Sequence, residues 1–171
     1  MGSQLVCLLD GATAMVRPLT AADFDAVVEL ADALSDEDRY LRFFTLHPSH
    51  IADWAQSLTD PPAGAVALGA YDHGELVGVA NYIPTTEPHR AEVAVLVARY
   101  QHDRGVGTAL LGRLIEIARQ TGVEHFVADV LADNNPMLRL MTDSHLPIAI
   151  QRCESVLSVD VDLRAIPQNQ Q

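Results

Sequence analysis

The run Arg104-Gly105-Val106-Gly107-Thr108 is the segment of this chain best suited to holding an anion. It stands where a strand-like run gives way to a helical one. Glycines at 105 and 107 remove side chains, so backbone N–H groups can approach a charged ligand closely. A helix N-terminus adds positive potential, and Arg104 adds a formal charge. Together these make a pyrophosphate cradle. No Gly-Lys-Ser/Thr follows, so the segment is not a Walker loop. Leu110 stands where a G-x-G-x-x-G motif requires its third glycine.

Other residues with chemical potential are more scattered. His47 and His50 form an H-x-x-H at the start of a helix, but no third ligand is spaced nearby, and no metal site is expected. Arg39-Tyr40 and Arg42-Phe43-Phe44 have the composition either of a groove lining or of core. The acidic stretch Ser35-Asp-Glu-Asp38 reads as a solvated helix start favoured by the helix dipole. Cys7 and Cys153 have no motif spacing and fit a reducing, cytoplasmic setting. The chain contains no lysine, so Schiff-base chemistry on a lysine is excluded.

The elements that must position these residues follow from periodicity. Val6 to Leu9, the Asp10-Gly11 turn signal and Thr13 to Pro18 predict a hairpin. Thr20 with Asp23 resembles a capping box ahead of an amphipathic helix over 21–34. Ser35 can cap a second helix. Pro48 and Ser49 open a third, running through Trp54 to about Leu58. Strands are predicted over 65–71, 76–83 and 90–98, then a long helix over about 105–121 with Gly122 at its C′ position. A strand over 125–131 follows, then a short helix capped by Asn134 or Asn135, and a final hairpin over 148–163. The order is mixed α/β, with three consecutive strands before the long helix.

At 171 residues, 49% hydrophobic, the chain is long enough for one domain with its own core. No apolar run approaches the length of a membrane span, and the N-terminus does not read as a signal peptide. A formal charge of −12 repels nucleic-acid phosphates and anionic membranes, so neither is an expected partner.

With its flanking strand and helix, His102-Asp-Arg-Gly-Val-Gly107 resembles the Q/R-x-x-G-x-G/A acyl-coenzyme A motif of the GNAT N-acyltransferases. Val130-Leu-Ala-Asp-Asn-Asn-Pro-Met-Leu-Arg-Leu-Met141 is similar to the family's second motif, where an asparagine opens the next helix. Asp10-Gly11, Val16-Arg-Pro-Leu19, Leu34-Ser35 and Arg39-Tyr-Leu-Arg-Phe-Phe44 resemble the bacterial protein-lysine acetyltransferase branch. That branch includes GNAT domains fused to acyl-CoA synthetase-like or nucleotide-sensing modules. The resemblance covers about residues 5–164, and 165–171 read as a tail or linker stub.

The resemblance implies an α/β fold: a single GNAT-like domain with a mixed, mostly antiparallel sheet flanked by helices. It implies acetyl-CoA as cosubstrate, with no metal. Backbone groups of Val95, Leu96 and Val97 would pair with the pantetheine arm as an added strand does. Amides of Asp103, Arg104, Gly105, Val106, Gly107 and Thr108 would hold the pyrophosphate. His102 would donate to a phosphate, and Asn134 would lie beside the pantetheine or thioester. The general base would be Glu92, whose pKa an apolar strand should raise. A strand amide near Leu96 would stabilise the oxyanion.

The sequence also departs from the family pattern. His102 replaces the usual Gln or Arg, and Asp103 stands where Gly or a basic residue is common. No tyrosine follows Tyr100 to protonate the departing thiolate, which leaves Ser144, His145 and Cys153 as the nearby alternatives. His145-Leu-Pro147 replaces a Gly-aromatic pair, which implies an altered acceptor side. Two functions result. The first is an N-acyltransferase moving an acetyl or short acyl group to an amine, with a protein lysine as favoured acceptor. Polyamines, amino acids and aminoglycosides stay open as acceptors. The second is a non-catalytic acyl-CoA-binding regulatory domain, fused to or partnered with other modules.

Overall fold

The computed structural model describes residues 1–44 and 50–165; His47, Pro48 and Ser49, and the tail from 166, lie outside the described residues. Eight strands form one sheet in the order β1-β2-β3-β4-β5-β6-β8-β7. They are β1 Gln4–Cys7, β2 Thr13–Pro18, β3 Val66–Asp72, β4 Glu75–Pro84, β5 Arg90–Val97, β6 His125–Leu131, β7 Ile148–Cys153 and β8 Val156–Asp162. Every pairing is antiparallel except β5 with β6. The single α/β domain and mostly antiparallel sheet are those the family resemblance implies.

Among the described residues, five α-helices cover the sheet: α1 Phe24–Asp32, α2 Asp36–Phe43, α3 Ile51–Thr59, α4 Val106–Gln120 and α5 Asn135–Thr142. On one face, Val106, Leu110, Leu114, Ile117 and Ala118 of α4 pack on Val16, Leu68, Tyr82 and Phe126. These α4 residues recur at three- and four-residue spacing, so one stripe enters the core. On the other face, Val27 and Leu30 of α1 and Ala55 and Leu58 of α3 pack on Ala67, Val79 and Leu96. Burial on both faces explains why β4 reads as a near-continuous apolar run.

Local signals account for the ends of these elements. Ser35 Oγ accepts from the Asp38 N–H at 3.1 Å. The Asp23 carboxylate accepts from the Thr20 N–H at 2.8 Å, with Asp in the place a capping box gives to Glu. The first turn of the predicted helix is 3-10, over Ala21–Asp23. His73 and Gly74 both have positive φ, as a tight two-residue hairpin turn requires. The β3–β4 register jumps from Ala70↔Gly78 to Tyr71↔Leu76, leaving Val77 as a bulge. Leu76 therefore enters one core cluster, while Val77 and Ala80 enter the other. No helix among the described residues is long and apolar enough to cross a membrane.

Candidate active site

The β5–β6 pairing is short. Arg90, Ala91 and Glu92 pair with His125, Phe126 and Val127, and the ladder then stops. Beyond it the two strands part, and a groove of about 410 Å³ opens along Val95, Leu96 and Val97. The N-terminus of α4, Asn134 of α5 and Arg42 of α2 also line this groove.

Alternation fixes which backbone groups face the gap. The Ala98 N–H donates to Val77 O on the β4 side at 2.9 Å. Val97 therefore points to the opposite edge, where His102 Nε2 lies 2.9 Å from its carbonyl. Val95 shares that orientation, whereas Leu96 turns its backbone toward β4. The backbone of Leu96 itself is thus not on the open edge; the N–H groups of its neighbours Val95 and Val97 are. A carbonyl only accepts, so His102 carries its proton on Nε2. That nitrogen is spent on the strand rather than on an anion.

The cradle has the shape its glycines suggest. Asp103 has φ 65° and Gly105 φ 89°, so two left-handed residues bracket Arg104. The left-handed conformation at 103 is the physical reason glycine suits that position. The first bond of α4 runs from the Ala109 N–H to Gly105 O at 3.0 Å. The N–H groups of Val106, Gly107 and Thr108 precede it and have no acceptor within the helix. This donor set fits a pyrophosphate. A Cβ on Gly105 would approach Leu9 Cγ to 3.1 Å, whereas one on Gly107 would meet Leu140 at 3.5 Å, an ordinary contact. The two glycines therefore differ: Gly105 is required by the backbone, and Gly107 leaves space in front of the helix.

Arg104 does not serve the cradle with its side chain. Its Nε donates to Asp10 at 2.6 Å and its Nη1 to Asp72 at 2.9 Å, with Gln101 Oε1 as a further acceptor. These contacts raise the Arg104 pKa and lower that of Asp10. Its carbonyl accepts from the Leu9 N–H at 2.9 Å. Arg104 thus ties the β1–β2 turn and the end of β3 to the cradle loop. This corrects the expectation of a guanidinium aimed at phosphate. The sequence alone gave no sign of the partners, which lie far away along the chain.

Glu92 stands on β5 where the ladder ends. It shares a strand face with Leu96, which packs toward α1 and α3. It is exposed, not desolvated by the apolar strand around it as the sequence suggested. Its charge is felt by Arg42, which lines the groove. Asn134, not Asn135, caps α5, and its Oδ1 accepts from the Met137 N–H at 3.2 Å. Asp38 is buried and lines the groove, where the sequence suggested a solvated helix start. Among the alternatives to a tyrosine acid, Ser144 Oγ donates to Met141 O at 2.6 Å and Cys153 is exposed on β7. His145 has a left-handed φ of 57°, and none of the three lines the groove. No group of three His, Cys, Asp or Glu residues gathers among the described residues in a way that could hold a metal.

Comparison with known proteins agrees with this geometry. A model of the acetyltransferase (GNAT) family matches residues 27–144. The GNAT domain of S. lividans PAT superposes with a TM-score of 0.83 at 32% identity, covering 94% of this chain and 96% of that one. A ribosomal-protein-alanine N-acetyltransferase from Brucella melitensis superposes with a TM-score of 0.70 at 25% identity, covering 86% of this chain and 98% of that one. An acetyltransferase of Pseudomonas aeruginosa is 26% identical over 134 residues, which are 75% of this chain and 72% of that protein.

Proposed function

Given that the chain belongs to the GNAT family of acetyl-CoA-dependent N-acetyltransferases, we propose that it transfers an acetyl or short acyl group to a lysine side chain of a protein. The observation that carries this reading is the β5–β6 ladder ending at Glu92↔Val127, with the groove beyond it running to the N-terminus of α4. An extended, amide-bearing arm can add to the free edge of β5, and a pyrophosphate can meet the amides of Val106, Gly107 and Thr108. The residues Arg39 to Phe44, similar to the protein-lysine branch, support the choice of acceptor.

Acyl-CoA supplies an activated thioester carbonyl when bound. In this reading Glu92 takes a proton from the incoming ammonium, directly or through water. A free N–H on the edge of β5, from Val95 or Val97, receives the developing oxyanion. Asn134 holds the start of α5 against the groove. The thiolate leaves without a dedicated acid, because its conjugate thiol is already fairly acidic.

Calorimetry with acetyl-CoA, followed by thiol release with three acceptors, tests the reading. The acceptors are a lysine peptide blocked at its N-terminus, a peptide with a free N-terminal alanine, and a polyamine. Turnover on the blocked lysine peptide alone is expected. Turnover only on the alanine peptide would move the acceptor to a protein N-terminus. Binding without any thiol release would make the domain an acyl-CoA sensor.

A further inference from the structure

Among the described residues, every arginine whose side chain is described donates from it to a carboxylate or a backbone carbonyl, except Arg42 and Arg139. Both exceptions line the groove. This is notable in a chain with 23 acidic residues and 11 basic ones, where a guanidinium has carboxylates at hand. Arg139 lies exposed on α5 and loses little by standing in water. Arg42 is different. It is drawn inward beside the Phe43 and Trp54 rings, with its guanidinium carbon 5.0 and 5.7 Å from their centroids. The two rings meet edge-on at 5.3 Å and form a fixed wall behind it. Burial pulls its pKa down to about 10, against the opposing effect of Glu92, so it stays charged at neutral pH. No carboxylate among the described residues lies within ion-pairing distance of it. A half-buried cation without a carboxylate partner is costly, and a guanidinium presents a planar fork matched to a carboxylate.

We propose that Arg42 is a carboxylate-binding residue at the reacting end of the groove, selecting substrates that carry an acid group on the transferred acyl chain or beside the acceptor amine. The inference rests on the acyl-transfer reading above. Two sources supply this chemistry: the far carboxylate of a dicarboxylic acyl-CoA, or an acidic residue flanking the acceptor lysine. The transfer itself is the same in either case. A C–N bond forms, the thioester C–S bond breaks, the amine proton passes to Glu92 and the thiolate departs.

The test has two arms, run on wild type, Arg42→Gln and Arg42→Lys, with circular dichroism checking each fold. The donor arm compares succinyl-CoA with butyryl-CoA by calorimetry. The acceptor arm compares kcat/KM for blocked lysine peptides flanked by Glu or by Gln. Wild type is expected to prefer the acidic member about 10-fold or more in one arm. Arg42→Gln should bring that ratio close to 1, and Arg42→Lys should restore part of it. The arm that responds identifies the source. No preference in either wild-type arm, or a preference that survives Arg42→Gln, overturns the proposal while leaving acyl transfer intact. Failure of the wild type to bind any acyl-CoA overturns both.

Discussion

The carboxylate of Asp10, in the turn between β1 and β2, accepts from Nε of Arg104 at 2.6 Å. The link joins the edge hairpin to the loop that presents the cradle amides. If it positions the loop, Arg104→Met and Asp10→Asn should each weaken acetyl-CoA binding several-fold, and the double variant should be little worse than either single one. An Arg104 that served phosphate instead would give the opposite for Asp10→Asn, since freeing the guanidinium would tighten binding. Calorimetric titration of the three variants separates the cases.

The two cradle glycines should respond differently to substitution. Gly105→Ala places a side chain at φ 89° against Leu9, and should cost roughly 1–2 kcal/mol of stability. Gly107→Ala meets only ordinary contacts and should leave the melting temperature nearly unchanged. Gly107→Glu should fold as well but lose acetyl-CoA binding, because a carboxylate then occupies the space before the helix amides. Thermal melts paired with calorimetry report both effects. Gly105→Glu is a poor probe of the cradle, since it disturbs the backbone first.

Glu92→Gln keeps the side chain's size but removes its basicity. Turnover should fall by roughly 10²–10⁴ near pH 7, with acetyl-CoA affinity almost unchanged. The deficit should narrow at higher pH, where more of the acceptor amine is already deprotonated. A pH–rate profile of wild type against variant decides the point, and equal rates throughout would assign the proton transfer to another group.

Asp23 is a buried carboxylate held by Arg17, Tyr71 and Thr20. Arg17 donates to both of its oxygens at 2.8 and 2.9 Å, and Tyr71 Oη donates at 2.7 Å. The Arg17 hydrogen bonds outweigh desolvation and hold its pKa well below the usual carboxylate range. Its stabilising contribution is therefore complete above the unfolded value near 4 and is lost as pH falls toward the lower folded value. Asp23→Asn should destabilise the protein at pH 7 by about 3 kcal/mol, and the gap should shrink on acidification below about pH 4. Urea unfolding at pH 7 and pH 3 measures it.

The sequence carried most of the element order because the signals were local. The Gly105–Thr108 junction, the Ser35 cap, the Asn134-Pro136 helix start and the Gly122 stop each act within a few residues. Long-range partners were illegible. Nothing near Arg104 announces Asp10 or Asp72, and nothing near Arg42 announces that it lacks a carboxylate among the described residues. Asp38 read as solvated because its neighbours in sequence are acidic, yet helix geometry turns it with Leu41 and Arg42 toward the groove. Glu92 read as desolvated because its neighbours are apolar, yet the end of the β5–β6 ladder leaves it exposed.

Three residue pairs are all that join β5 to β6. On either side the ladders are longer: four pairs join β2 to β3, seven join β3 to β4, seven join β4 to β5 and seven join β6 to β8. The junction is thus the shortest ladder in the sheet, and beyond it the two strands part into the groove. With so few pairs, the junction is then the first pairing to open by fluctuation. Its amides, at Ala91 to Val93 and Phe126 to Ala128, should exchange with solvent faster than their burial suggests. Any ligand spanning the gap should slow that exchange across the whole width of the sheet, because the two blocks would then move as one.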